Sequence, residues 1–189
     1  MLVECGFTRV TASDGAGVTE FTFTPSFGRI STLGRPHEIV SLFASLHGPN
    51  AAQDATYVLA CLCDQEDPTP LIGCWEDELG HTPGLMPAAE QIVVARHLMA
   101  HGIIGKSRPA ASGSGQYSDK FDAAEYVAAA RVHLGLSSAD AEALSMSEFL
   151  TMFEMKFPAA DGAAAIPSAE EYDAAMAALE ESRRGTEGR

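Results

Sequence analysis

The chain has 189 residues, 46% of them apolar, with 26 acidic against 12 basic residues and a net charge of −14. This length is enough for one modest globular domain or two small ones, and so much negative charge repels phosphate backbones, which argues against nucleic acid as a partner. The chain has no apolar run near the roughly 18 residues of a membrane span, and its start lacks the build of a secretory signal, so we expect a cytosolic protein without a membrane partner.

A β-hairpin and three helices are predicted first along the chain. The segments "FTRVTA" and "VTEFTFT" are rich in β-branched and aromatic residues and flank the turn-forming "SDGAG", which predicts two paired strands. Thr24 as N-cap and Pro25 at the first helical position predict a helix that ends at Gly34. Helical spacing of apolar residues predicts two more helices, over "PHEIVSLFASLHG" and "AAQDATYVLACLC". Because two strands alone are marginally stable, we expect these helices to cover the hairpin.

The pattern breaks over residues 64–87, "DQEDPTPLIGCWEDELGHTPGLMP", which contain four prolines and three glycines. This composition predicts a loop region with one buried contact, around Leu71, Ile72 and Trp75. A helix is predicted to follow Pro87 and to end at Gly102. The next stretch, "GKSRPAASGSGQYS", has the composition of a flexible linker.

The rest of the chain is predicted to be helical. Three helix starts pair a capping residue with an acid three positions later, namely Asp122 with Glu125, Ser137 with Asp140, and Ser145 with Glu148. After a low-complexity spacer, Ser168 and Glu171 open a last amphipathic helix. The predicted fold is mainly α, an N-terminal β-hairpin packed on a helical bundle and followed by a small C-terminal helical module. Its predicted parts are the hairpin plus helical domain over 1–104, the linker over 105–118, the small helical module over 119–158, and a linker with the C-terminal helix over 159–189.

Two sets of side chains contain residue types that could bind a metal ion. His97 and His101 stand four apart on a predicted helix and could share an ion, but the glutamate of a zinc protease motif is missing after the first histidine. The simpler interpretation is that they interact favourably with the negative end of their helix. A second set would be Cys61, Cys63, Cys74 and His81. Residues two apart on a helix point about 200° away from each other, so we expect buried thiols in place of a zinc site and predict no metal or cofactor.

No segment carries a convincing catalytic motif. "SGSGQYS" lacks the Gly-x-Ser-x-Gly pattern of a nucleophile elbow, and "DGAG" lacks the spacing and the lysine of a phosphate-binding loop. The carboxylates of "CWEDELGH" could act as acid and base, but clustered acids on an acidic surface are usually only solvated. The sequence therefore predicts a protein that is not an enzyme.

Residues 146–157, "MSEFLTMFEMKF", carry seven large apolar side chains in twelve positions. At 100° per residue, five of its large apolar side chains form one stripe of the usual width for a core-facing helix: Met146, Phe149, Leu150, Phe153 and Phe157. Met152 lies beside this stripe, and Met155 lies on the side expected to face water. Methionine is common on surfaces that adapt to apolar partners. Two interpretations stay open, a partner-binding surface or cover by a second layer such as the helix over 169–182.

The chain also resembles a known family. The segments "FTFTPSFGRISTLGRPHEIVSLFASL", "ARHLMAHGIIG" and "FDAAEYVAAARVHLGLSSADAEALSMSEFLTMFEMKFP" look like uncharacterised tailed-bacteriophage proteins that are found among tail morphogenesis genes and resemble tail assembly chaperones. The likeness covers nearly all of residues 6–158. In "SMSEF", Ser145 stands where a threonine is often found, and Ala143 and Leu144 stand where related proteins tend to carry a tryptophan.

The resemblance implies a protein of the host bacterial cytoplasm that binds apolar helical segments of a phage tail protein, the tape-measure or tail-tube protein, without catalysis or cofactor. The residues expected to bind the partner are Met146, Phe149, Met152, Phe153 and Met155, with Tyr172 and Met176 of the last helix as part of the groove or its lid. Two alternatives remain, a structural tail or connector protein of the virion and a prophage-encoded inhibitor of competing phage tail assembly.

Overall fold

The computed structural model describes residues 6–14, 17–76, 80–105 and 119–158. Over these residues the fold is mainly α with an N-terminal two-stranded hairpin, as predicted. Its strands are β1 Thr8–Asp14, β2 Gly17–Phe23, β3 Cys74–Glu76 and β4 Gly80–Thr82. Its helices are α1 Phe27–Ile30, α2 Pro36–Ser45, α3 Ala51–Leu62, α4 Thr69–Ile72, α5 Ala88–Met99, α6 Ala123–Ala129, α7 Ser138–Ala143 and α8 Met146–Lys156. A 3-10 turn over Ser31–Leu33 extends α1, and π turns over Ala100–Ile104 and Ala130–Leu134 extend α5 and α6.

The hairpin is attached to the end of α3. Its strands pair antiparallel from Thr8 opposite Phe23 to Asp14 opposite Gly17. The Thr24 N–H donates to the Leu62 carbonyl at 2.9 Å, and Phe23 forms an isolated antiparallel bridge with Cys63. Because Phe23 is also fully buried, the end of β2 belongs to the core. The predicted covering of the hairpin by helices is therefore confirmed at this end.

The first helix starts two residues later than predicted. Ser26 is its N-cap, and the Ser26 hydroxyl accepts from the Arg29 N–H at 3.3 Å. Thr24 is not available as a cap because its N–H pairs with the end of α3 and its hydroxyl donates to the Asp64 carboxylate at 3.0 Å. The prediction of Thr24 and Pro25 as the helix start was wrong because this long-range pairing keeps the chain extended.

Helices α3 and α5 pack against each other at the centre of the core. Their buried residues are Ala55, Val58, Leu59 and Leu62 of α3 and Ala95, Leu98 and Met99 of α5. The predicted end of α5 at Gly102 was wrong, since the π turn continues the helix to Ile104 and Gly105, at φ +77°, follows it. Gly102 serves a packing role, because a Cβ there would lie 2.7 Å from Ile30 Cδ1.

The segment predicted as a loop contains α4 and the short β3–β4 hairpin. Leu71 and Ile72 are buried as predicted, whereas Trp75 is 42% exposed. Gln91 on α5 holds this segment in place. Its side-chain amide donates to the carbonyls of Ile72 and Met86 at 2.8 and 2.9 Å. Local composition could not predict the bond to Ile72, because Gln91 lies 19 residues further along the chain.

The predicted division between 1–104 and 119–158 is not how the described residues are arranged. The Phe27 ring of α1 lies 5.7 Å from the Tyr126 ring and 6.0 Å from the Phe149 ring. Its N–H donates to the Leu144 carbonyl at 2.8 Å. The described residues up to Lys156 belong to one compact unit. The prediction of a separate small module is corrected, because aromatic rings from both parts share one core. The predicted linker lies outside the described residues, save for its first residue.

The three predicted helix starts of this part are confirmed. The Asp122 carboxylate accepts from the Ala124 N–H at 3.0 Å. The Ser137 hydroxyl accepts from the Asp140 N–H at 3.1 Å. At the start of α8 the bonding is reciprocal: the Ser145 hydroxyl accepts from the Glu148 N–H at 3.2 Å, and the Glu148 carboxylate accepts from the Ser145 N–H at 2.9 Å. These caps satisfy helix N–H groups that have no partner within their own helix.

Candidate functional site

Helix α8 is anchored in the core along one face. Met146 and Phe149 are 3% and 5% exposed, and Ser147 is fully buried. The Ser147 hydroxyl is hydrogen-bonded to His101 Nδ1 at 2.7 Å, which ties α8 to the π turn of α5. Of the residues predicted to bind a partner, Met146 and Phe149 therefore lie in the core and present almost no side-chain surface.

Three large apolar side chains are exposed outside the buried face of α8. Met152 is 37% exposed, Met155 is 76% exposed, and Phe157 is 46% exposed. We call Met152 and Met155 the α8 surface. The predicted departure of Met152 and Met155 from the core stripe is confirmed. The placement of Phe157 in that stripe was wrong, because α8 ends at Lys156 and helical spacing no longer applies.

Phe153 lies between the core and the α8 surface. Its ring is 5.6 Å from that of Phe149 and meets the His133 imidazole edge-on at 6.0 Å. It is half-buried, so it joins the core to the exposed face. The predicted helix over 169–182, with Tyr172 and Met176, lies outside the described residues. The interpretation that this helix covers the methionines stays a prediction.

Among the side chains considered for metal binding, His101 and Cys63 form hydrogen bonds to other residues. The rings of His97 and His101 lie 4.6 Å apart, with His101 bonded to Ser147. The Cys63 thiol donates to Gln65 Oε1 at 3.3 Å, and burial raises the pKa of this thiol. Within the described ranges, no three His, Cys, Asp or Glu side chains come together as a metal-binding group.

A second candidate site was missed by sequence reasoning. It is a cleft of about 700 Å³ between α3 and the segment that leads into β3. We call it the Trp75 cleft. Its lining includes Asp54, Thr56 and Tyr57 of α3 together with Glu66, Asp67 and Trp75. The sequence indicated Trp75 only as a buried contact.

A hydrogen-bond network fixes one wall of the Trp75 cleft. The indole Nε1 of Trp75 donates to Thr56 Oγ1 at 3.3 Å. The Thr56 hydroxyl lies 2.9 Å from Gln91 Oε1 and donates to it. Gln91 is 1% exposed and its amide also holds the carbonyl of Ile72. A fully bonded buried network of this kind rigidifies the side chains that it joins.

None of the helices in the described parts of the chain is long and apolar enough to span a bilayer.

Comparison with known proteins identifies one family. Residues 47–174 match the family of unknown function DUF6246, and this range contains both the α8 surface and the Trp75 cleft. No curated protein and no solved structure matches the chain. Because the matched range covers more than half of the 189 residues, the chain belongs to DUF6246, a family of unknown function.

Proposed function

We propose that this protein is a non-catalytic binding protein of phage tail assembly, which holds an apolar helical segment of a tail component on the α8 surface. The observation that carries the proposal is the exposure of Met152 and Met155, 37% and 76%, on a helix whose core stripe includes the buried Met146 and Phe149. Methionine side chains are flexible and polarizable, so they adapt to apolar partners of different shape. Contiguous exposed apolar residues are typical of interaction sites.

The base of the α8 surface supports this role. Ser145 and Glu148 cap the first turn of α8 reciprocally, and Ser147 bonds to His101. Aromatic packing of Phe153 on Phe149 holds the later turns. A helix held in this way loses little backbone entropy when a partner binds, which favours association.

The nature of the partner comes from the resemblance to tail assembly chaperones. A tape-measure protein is a long helical chain with apolar stripes, and such a stripe would lie on α8 in the manner of helix-in-groove recognition. The net charge of −14 helps to keep the complex soluble in the host cytoplasm. Release would follow when tail-tube subunits displace the protein, and no step requires catalysis or a cofactor.

The test is affinity capture of the tagged protein from phage-producing cells, with mass spectrometry of the captured proteins. Wild type is expected to recover the tape-measure or tail-tube protein. The variant Met152→Glu with Met155→Glu is expected to lose it, since two charges on the α8 surface would be desolvated on binding. The matched control is Leu85→Glu with Val93→Glu, which adds two charges at exposed apolar positions outside α8.

Three results would contradict the proposal. The first is equal capture of tail proteins by both double variants. The second is stoichiometric protein in purified virions, which would identify a structural tail or connector protein. The third is capture only of tail components from a competing phage, which would identify an inhibitor of assembly.

A further inference from the structure

The Trp75 cleft combines exposed aromatic rings with acids. Trp75 and Tyr57 are 42% and 46% exposed. The acids that line the cleft are Asp54, Glu66 and Asp67, and no described lysine or arginine lines it. A volume of about 700 Å³ is within the usual range for small-ligand sites. The cleft therefore has room for a ligand and a single sign of charge.

The two rings are held in place. The Trp75 indole donates to Thr56 and stacks on the His81 imidazole with ring centroids 4.6 Å apart. His81 does not line the cleft, so Trp75 still has ring surface available to a ligand. The Tyr57 hydroxyl donates to the Leu33 carbonyl at 3.2 Å. Burial raises the pKa of Tyr57, so this ring is a neutral phenol at physiological pH.

The cleft acids lie apart from the ion pairs of two described arginines. Arg9 pairs with Glu20 and Arg29 pairs with Asp64, and neither ion pair involves a cleft acid. The Asp67 carboxylate accepts from the Thr69 N–H at 2.9 Å. Hydrogen bonding from the side chain and then the backbone of Thr69 lowers the pKa of Asp67, so this acid is ionised at neutral pH.

These features select one ligand chemistry. Phosphate and carboxylate groups would be repelled, because the described residues of the lining include the acids Asp54, Glu66 and Asp67 and no lysine or arginine. A wholly apolar ligand would desolvate those acids without compensation. A cation on an aliphatic stem satisfies both features, since ammonium and guanidinium groups bind aromatic faces within about 6 Å and pair with carboxylates. We propose that the Trp75 cleft binds an alkylammonium or guanidinium group, supplied by a lysine or arginine side chain or by a free amine.

This inference is independent of the proposed function, because the Trp75 cleft and the α8 surface share no residue. Trp75 is the single tryptophan of the chain, so intrinsic fluorescence reports directly on the cleft. The probes are butylammonium, N-acetyl-lysine amide and spermidine, and the neutral match is N-acetyl-norleucine amide. At constant ionic strength we expect the cations to cause a saturable change in Trp75 fluorescence, with half-saturation at about 1 to 10 mM. The norleucine compound should cause no such change.

Two variants of the full chain test the acids. Asp54→Asn and Asp67→Asn are each expected to weaken binding by up to about fivefold, the value of an exposed ion pair. The matched control Glu125→Gln removes a charge at an exposed position of α6 and is expected to leave binding unchanged. Fluorescence of the two variants without ligand checks that the cleft remains folded.

The probes also distinguish the source of the cation. Tighter binding of N-acetyl-lysine amide than of spermidine supports a protein side chain, and the reverse order supports a free polyamine. The proposal is overturned by the absence of a saturable change up to about 100 mM, far above the expected range. Equal responses to the lysine and norleucine compounds, or equal affinities of wild type and both Asn variants, would overturn it as well.

Discussion

The buried amide of Gln91 offers the sharpest test of how the Trp75 cleft is built. Its Nε2 donates to the carbonyls of Ile72 and Met86, and its Oε1 accepts from the Thr56 hydroxyl, with distances of 2.8 to 2.9 Å. Gln91→Met keeps the length and the helix propensity of the side chain but removes all three bonds. Each bond contributes about 1 kcal/mol, so the free energy of unfolding should fall by about 3 kcal/mol.

The measurement is urea unfolding followed by both circular dichroism and Trp75 fluorescence. The matched control is Glu90→Met, which places the same side chain at the neighbouring, exposed position of α5 and should change stability by less than about 0.5 kcal/mol. In a double-mutant cycle, Thr56→Val should lower the free energy of unfolding by less in the Gln91→Met background than in wild type, because both changes remove the same hydrogen bond. A loss below about 1 kcal/mol for Gln91→Met, or additive effects with Thr56→Val, would refute the argument.

Three further predictions concern other parts of the molecule. Met152→Glu with Met155→Glu should change the free energy of unfolding by less than about 1 kcal/mol, because both side chains are exposed; thermal unfolding of this variant below wild type by more than about 8 °C would contradict this. Gly102→Ala should cost about 1 to 3 kcal/mol in urea unfolding, because its Cβ would lie 2.7 Å from the isoleucine side chain of α1. Thr69→Val should raise the pKa of Asp67 in an NMR titration, since the threonine side chain is the largest cause of its lowering. Because this pKa is lowered, Asp67 stabilises the fold at pH values above its ordinary pKa and loses this contribution as the pH falls. The free energy of unfolding of wild type should therefore decrease more steeply with falling pH than that of Thr69→Val.

Both proposed sites fall within the residues that match DUF6246. They differ in how far sequence could identify them. The α8 surface followed from helical period, because Met152 and Met155 are placed by the same 100° rotation that puts Phe149 in the core. The Trp75 cleft could not be found in this way, since Asp54 and Trp75 belong to separate elements that only the fold brings together.

Local signals were sufficient where neighbouring residues decide the structure. The paired strands around "SDGAG" and the caps at Asp122, Ser137 and Ser145 are present as predicted. A cap or a tight turn depends on side chains within a few positions of each other, so its signature is readable in the sequence. The exposure of Met155 could also be predicted from the local sequence, because it depends only on the rotation per residue of one helix.

Tertiary contacts decided the features that the sequence alone left open or mispredicted. Thr24 pairs with the end of α3 and so cannot cap α1, and Gly102 continues a helix that packs on Ile30. The Phe27 ring draws residues 119–158 into the same core as the N-terminal elements. Helical spacing of apolar residues and capping signals predicted that this chain folds mainly as helices with apolar faces. Which faces meet, and therefore which apolar residues stay exposed, was decided by burial and hydrogen bonding between segments that are distant in the chain.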